Sequence, residues 1–180
     1  MSGQETGAES PPPDAEAPGG GGRKPRRRSP LRWLASTSRR TFAVFPVLVI
    51  ALELALNAGT LPFTPWGVVL LAWGYLQYRL AGGYRTRHGG GGPGLEVPPE
   101  CLVDHGIYRF TRNPMYLGHM IFMAGLAITF HSWLAAALLA FHVFWFDRRV
   151  REDERHLEAI FGEAYRAYAR RVKRWIPWVV

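Results

Sequence analysis

PMYLGHMIFMAGLAITFHSWLAAALLAFHVFWF, residues 114 to 146, contains no aspartate, glutamate, lysine or arginine. The stretch is long for one membrane crossing and short for two. His131 and Ser132 break it near the middle, and Trp133 follows them. Tryptophan is at home at a membrane–water interface. The stretch therefore reads as a hairpin of two short helices, 114–130 and 132–146, in preference to one long tilted helix.

Two further apolar runs lie upstream. Residues 41–58 carry a single charge, Glu53. Eighteen residues of helix rise about 27 Å, close to the thickness of a hydrocarbon core. Pro46 is positioned to kink this helix. Glu53 inside a bilayer is costly unless partnered, and a hydrogen bond within the bundle is its simplest explanation. Residues 63–80 form the second run, with Trp66 near one end and Arg79 at the other. The connection Gly59 to Pro65 is uncharged, contains two prolines and reads as a short external turn.

Charge placement sets the topology. Arginines cluster before Thr41, between the second and third runs, and after Asp147. Four crossings put all of these clusters on one side, and basic loops mark the cytoplasm. The expected fold class is therefore all-α: an integral membrane bundle of about four transmembrane helices. Both termini are expected in the cytoplasm, in the inner membrane of a bacterium. Residues 81–113 are expected to form the longest internal loop.

Residues 147–180 form a charged C-terminal segment. Leu157, Ile160, Phe161, Tyr165 and Tyr168 recur at three- and four-residue spacing, as in an amphipathic helix lying on the bundle or the bilayer. Trp175 and Trp178, around Pro177, would anchor its end. At the other terminus, residues 1–40 read as a disordered basic cytoplasmic tail, with Pro11 to Pro13 and Gly19 to Gly22 unbroken and few apolar side chains. The domain proper is then 41–180.

The net charge of +8 raises nucleic acid as a partner. The arginines sit beside apolar runs, so lipid is the better partner and nucleic acid is set aside. The single cysteine, Cys101, permits no internal disulfide. The six histidines show no close ligand pair, so no metal site is expected. The sequence does not determine the oligomeric state.

Two segments concentrate polar residues beside the apolar helices. The first runs from Gly106 to Gly118 and includes Tyr108, Arg109, Arg112, Asn113, Pro114, Met115 and Tyr116. Pro114 suits the first turn of a helix and places Asn113 at the N-cap. Such a helix start, with Arg112 beside it, suits an anionic group. The second segment holds Arg149, Glu152, Asp153 and Glu154. Its three acids either form a solvated network with neighbouring arginines or bind the ammonium or hydroxyl groups of a ligand.

Taken together, the pattern G-x-Y-R-x-x-R-N-P-x-Y-x-G, an apolar hairpin, an acidic pair, and then Leu157, Phe161-Gly162, Tyr165 and Tyr168 resembles the isoprenylcysteine carboxyl methyltransferase and phospholipid methyltransferase superfamily. The resemblance covers about residues 95 to 178. It implies a helical membrane enzyme that holds S-adenosylmethionine in a cytoplasm-facing pocket and methylates a lipophilic or lipid-linked acceptor. By the same positions, Glu100, Cys101, Leu102, Val103, Tyr108, Asn113, Pro114, Met115 and Tyr116 would line the cofactor site, with Glu152 or Asp153 contributing an acid. Arg149 corresponds to the arginine that meets the acceptor, and Arg112 and Glu154 complete the candidate catalytic set. Histidine is usual in eukaryotic relatives where this chain has Asn113, which cannot shuttle a proton. No Gly-x-Gly of the phospholipid N-methyltransferase kind follows the Arg-Asn-Pro motif. An NADPH-dependent sterol or enone reductase, sharing an Arg-His-Pro-x-Tyr motif, is the competing enzyme class. A non-catalytic scaffold of the same fold is the competing non-enzyme.

Overall fold

Close contact between two helices, made through glycine, organises the chain. In a computed structural model that describes residues 36–91 and 99–175, helix α2 (Pro65–Gly89) packs along helix α3 (Pro114–Phe130) with backbone against backbone. A Cβ atom on Gly118 would lie 2.8 Å from the carbonyl oxygen of Gly74. One on Gly125 would lie 2.7 Å from the amide of Leu71, and one on Gly67 an equal 2.7 Å from the amide of Thr129. No side chain fits at those separations, so small residues alone permit this approach. Both helices begin at proline, whose missing N–H costs nothing in a first turn.

Helix α1 (Phe45–Leu56) crosses this pair. A helical turn at Thr37–Arg39 and a π turn at Arg40–Val44 precede it. Pro46 lies at the junction, and the wide turn accommodates its missing donor. Val49 of α1 packs with Leu126, Phe130 and Ala135 in one core cluster. Glu53 is buried, and Asn57 donates to its carboxylate at 3.2 Å and to its backbone carbonyl at 2.8 Å.

The hairpin expected over 114–146 forms, and its turn is His131–Ser132. His131 adopts the left-handed conformation, and the Ser132 hydroxyl accepts from the amide of Ala135. The Thr64 amide donates to the Thr129 carbonyl at 2.8 Å, and the Thr64 hydroxyl meets His131 Nε2 at 2.7 Å. The start of α2 is thereby fastened to the tip of the hairpin.

Three boundaries differ from expectation. Helical structure begins at Thr37, inside the segment read as tail. Helix α2 continues nine residues past Leu80, since packing of buried Ala81 and Gly82 outweighs the poor helix propensity of Gly82 and Gly83. Helix α4 (Trp133–Phe161) does not stop at Phe146. The charged residues that follow pair along the same helix, Arg151 with Asp147 at 2.8 Å and Arg149 with Asp153 at 3.2 Å, so the helix continues through the change in polarity. It ends at Gly162, whose φ of 55° starts helix α5 (Glu163–Arg171) in a new direction. The expected C-terminal amphipathic helix is thus two pieces. Most of its stripe packs on protein, Tyr165, Tyr168 and Val172 being buried with Leu102, Leu157 and Phe161, while Ile160 stays exposed.

All regular structure among the described residues is helical, and none of these helices is long and apolar enough to cross a membrane. Residues 1–35 of the tail expected over 1–40, and Pro177 and Trp178 of the anchor expected at Trp175 and Trp178, lie outside the described residues.

Candidate active site

Between α2 and α3 the chain passes through an irregular segment containing a short 3₁₀ turn, Gly106–Arg109. This segment, the start of α3, the charged half of α4 and helix α5 enclose a cavity of roughly 640 Å³, partly continuous with solvent. Leu102, Val103, Met115 and Leu157 give it apolar walls, while Arg85, Arg112 and Asp153 add charge.

The three consecutive acids diverge, because neighbouring side chains on a helix point about 100° apart. Glu152 is exposed. Asp153 is on the cavity wall, where it accepts from the Tyr116 hydroxyl at 2.6 Å and from Arg149 Nε at 3.2 Å. Glu154 is buried. Arg174 donates to both of its oxygens, at 2.8 Å from Nη2 and at 3.2 Å and 3.1 Å from Nε. Arg112 Nε stands 3.4 Å away. The hydrogen bond and opposite charge of Glu154 raise the Arg174 pKa above its ordinary value.

Asn113 is at the N-cap of α3, as expected, but its side chain makes no capping bond. Its Nδ2 instead donates to Glu154 at 3.3 Å and to the Arg174 carbonyl at 3.4 Å. The side-chain amide is turned so that its N–H groups meet the Glu154 carboxylate and the Arg174 carbonyl, and the bond to the carboxylate is charge-assisted. Two further bonds fasten the same strap of chain: the Arg112 amide donates to the Lys173 carbonyl, and the Thr111 hydroxyl to the Arg174 carbonyl, both at 3.0 Å.

Tyr108 is buried, and its hydroxyl donates to the Ala81 carbonyl at 3.3 Å. Burial pushes this phenol up to about 12, with Arg85 pulling weakly the other way. The Tyr168 hydroxyl donates to the Tyr108 carbonyl at 2.7 Å, and burial raises its pKa as well. Burial alone would lower the Arg149 pKa, but Asp153 and Tyr116 outweigh it and hold the guanidinium firmly charged.

Of the residues singled out in the sequence, Leu102, Val103, Tyr108, Arg112, Asn113, Pro114, Met115, Tyr116, Asp153 and Glu154 line this one cavity. Glu100, Cys101 and Glu152 are exposed and off its wall. Arg149 is also off the wall and reaches it through Asp153. Sequence reasoning missed Arg85, Pro99 and the inward face of Tyr165 and Tyr168. The tyrosines carried a signal in their spacing, but Arg85 carried none.

Comparison with known proteins converges on the same segment. The profile of the family described as "Phospholipid methyltransferase" matches residues 95–164. Methanethiol S-methyltransferase 1 of Bradyrhizobium diazoefficiens is 31% identical over 129 residues, 70% of this chain and 43% of that protein. Protein-S-isoprenylcysteine O-methyltransferase of Schizosaccharomyces pombe is 31% identical over 80 residues, 43% of this chain and 34% of that protein. Isoform B of the Arabidopsis thaliana enzyme of that name is 33% identical over 79 residues, 43% of this chain and 40% of that protein. The chain thus spans less than half the length of each of these relatives. Through this shared segment, the chain belongs to the superfamily of phospholipid and isoprenylcysteine methyltransferases.

Proposed function

We propose that the chain is a membrane-embedded methyltransferase that takes S-adenosylmethionine in the cavity and methylates a lipophilic acceptor. The observation that carries this reading is that one cavity joins the start of α3 to the acidic turn of α4, segments some forty residues apart. S-adenosylmethionine supplies a methyl group on a sulfonium, and transfer then needs chiefly proximity and alignment. The residues present suit it. Asp153 offers a carboxylate to hydroxyl or ammonium groups, the apolar walls suit a base or thioether, and Arg112 or Arg85 suits a carboxylate. Tyr116 and Arg149 orient Asp153. Glu154 is bound to arginine through both oxygens, so its role is to hold the strap around Arg174 rather than to accept a proton. Arg149 is the group assigned to the acceptor.

The membrane setting is supported by what the helices leave uncovered. Val47, Leu56, Val69 and Phe144 are each more than half exposed, and Trp66 and Trp133 are 80% and 88% exposed. Those two tryptophans begin α2 and α4, whose starts the Thr64 bonds hold at one end of the bundle. Tryptophan suits one interface and the arginine-rich opposite end the other, which corresponds to four short crossings with both termini in the cytoplasm.

Titration of S-adenosylhomocysteine into detergent-solubilised protein tests the reading, with NADPH as the control. Binding of the first and not the second is expected; preference for NADPH would assign the chain to the reductases. Membranes given S-adenosylmethionine with a radioactive methyl group then report the acceptor fraction. A small thiol acceptor is the second reading, favoured by the longer match to the methanethiol enzyme. A thiol must lose its proton to react. Turnover rising steadily with pH through the thiol range would select it over a carboxylate.

A further inference from the structure

Beside the cavity just described is a second one, of about 610 Å³ including its open mouth, on the other side of the Arg112–Glu154–Arg174 cluster. Its lining holds five arginines: Arg112, Arg151, Arg155, Arg166 and Arg174. Two acids, Glu154 and Glu158, share it. Glu154 is bound to Arg174 and lies 3.4 Å from Arg112, and Glu158 is paired with Arg166 at 3.0 Å. Arg151 is paired outward to Asp147. Arg155 makes no ion pair among the described residues.

The wall shared by the two cavities contains a buried polar atom without a hydrogen-bond partner, the Tyr165 hydroxyl, beside Arg112 Nε, which has only the 3.4 Å ion pair with Glu154. Tyr165 is 3% exposed, so its hydroxyl has no solvent to satisfy it. A buried donor left unpaired is destabilising. Native structures seldom keep such groups without a reason, and a bound group is one. Five guanidinium groups and two carboxylates line the cavity, so its wall is net positive even though Asp147 and Glu163 pair with Arg151 and Arg166 from outside it, and guanidinium matches phosphate bidentately.

We propose that this arginine-lined cavity binds a phosphoryl group, either on a lipid headgroup or on a soluble phosphate ester. It is distinct from the methyl-transfer cavity, and the proposal does not depend on what that cavity holds.

The test uses the full chain in lipid nanodiscs and in detergent. Inorganic phosphate is titrated into the detergent sample at low salt. Short-chain phosphatidic acid is titrated into nanodiscs of zwitterionic lipid, with diacylglycerol as the uncharged control. Binding of either phosphate probe is expected, weakening as salt rises. Arg155→Gln with Arg166→Gln, both at exposed positions, should weaken it at least tenfold. Arg148→Gln, an exposed arginine off the cavity, should leave it unchanged. A lipid-only response identifies a headgroup as the source, and a response to inorganic phosphate in detergent identifies the free ester. Absence of binding by both probes overturns the proposal, as does equal binding by the double variant with a folded thermal transition. Loss in Arg148→Gln equal to that of the double variant also overturns it, because the response is then bulk charge. Methyl transfer is not read at any point, so failure here leaves the proposed activity standing.

Discussion

Asn113 donates to Glu154 across 41 positions of sequence, at 3.3 Å, and the same carboxylate holds Arg174. One buried acid therefore joins the start of α3, the charged turn of α4 and the strap that follows α5. The bond links the two polar segments of the chain directly. Removing the amide should cost the fold little. Asn113→Ala should lower stability by about 1 kcal/mol, the worth of a typical hydrogen bond, because Glu154 keeps its arginines. Its larger effect should be on cofactor affinity, measured by titration, since the residue lines the cavity.

Asp153 and Glu154 should separate in their effects. Glu154→Gln leaves two arginines around an uncharged amide. It should destabilise by roughly 2–3 kcal/mol, below the usual cost of breaking a buried pair because Arg174 keeps contact with water. Asp153→Asn, in a more open position, should keep the thermal transition and lose cofactor binding. Equal loss of stability in the two variants would show that the turn acts as one structural unit.

Gly118→Val should unfold the bundle or rearrange it. The added Cβ alone would lie 2.8 Å from the Gly74 carbonyl, and backbone cannot move aside as a flexible side chain can. Overpacking typically costs about 1–3 kcal/mol, and the larger end is expected here. Gly83→Ala, with open space around it, is the matched control. Thermal denaturation of the two variants should differ clearly.

Alkaline pH should loosen the site segment. The Tyr108 phenol is pushed up to about 12 from 10.0, so the fold favours its neutral form. Its contribution is complete below pH 10 and is lost as the pH rises towards 12. Tyr165 and Tyr168 shift the same way, burial again being the largest cause. Tyr108→Phe should therefore flatten, without abolishing, the fall in melting temperature between pH 10 and pH 12. An unchanged slope would mean that Tyr108 ionises without disturbing the fold.

The helical elements were legible where a proline or a polar pair punctuated an apolar run. Pro114 and His131–Ser132 set the bounds of α3, as the sequence suggested. Elsewhere apolarity was a poor guide to helix ends. Leu80 and Phe146 end apolar stretches but not helices: after Phe146 arginines and acids pair along the turns, and after Leu80 burial of Ala81 and Gly82 carries the helix on. The candidate site was legible as two motifs. Its third wall was not, because Tyr165 and Tyr168 have the spacing of a stripe that could face lipid or protein. Only the contact with Leu102 and the Tyr108 carbonyl decides between them. Nor could the sequence foresee that Asn113 would make no capping bond, since the carboxylate that orients its amide arrives from a distant helix.

The glycine contact between α2 and α3 has a mechanical consequence. Two helices touching main chain to main chain behave as one stiff plate, because neither can slide without lifting off the other. The far wall of the cavity is built differently. It is carried on the end of α4 and on α5, joined at Gly162, whose φ is 55° and where an added Cβ would meet no other atom within 4 Å. The plate is thus a fixed wall, and the α5 side depends for its position on the bonds that tie Tyr168, Lys173 and Arg174 to the start of α3 and the turn before it.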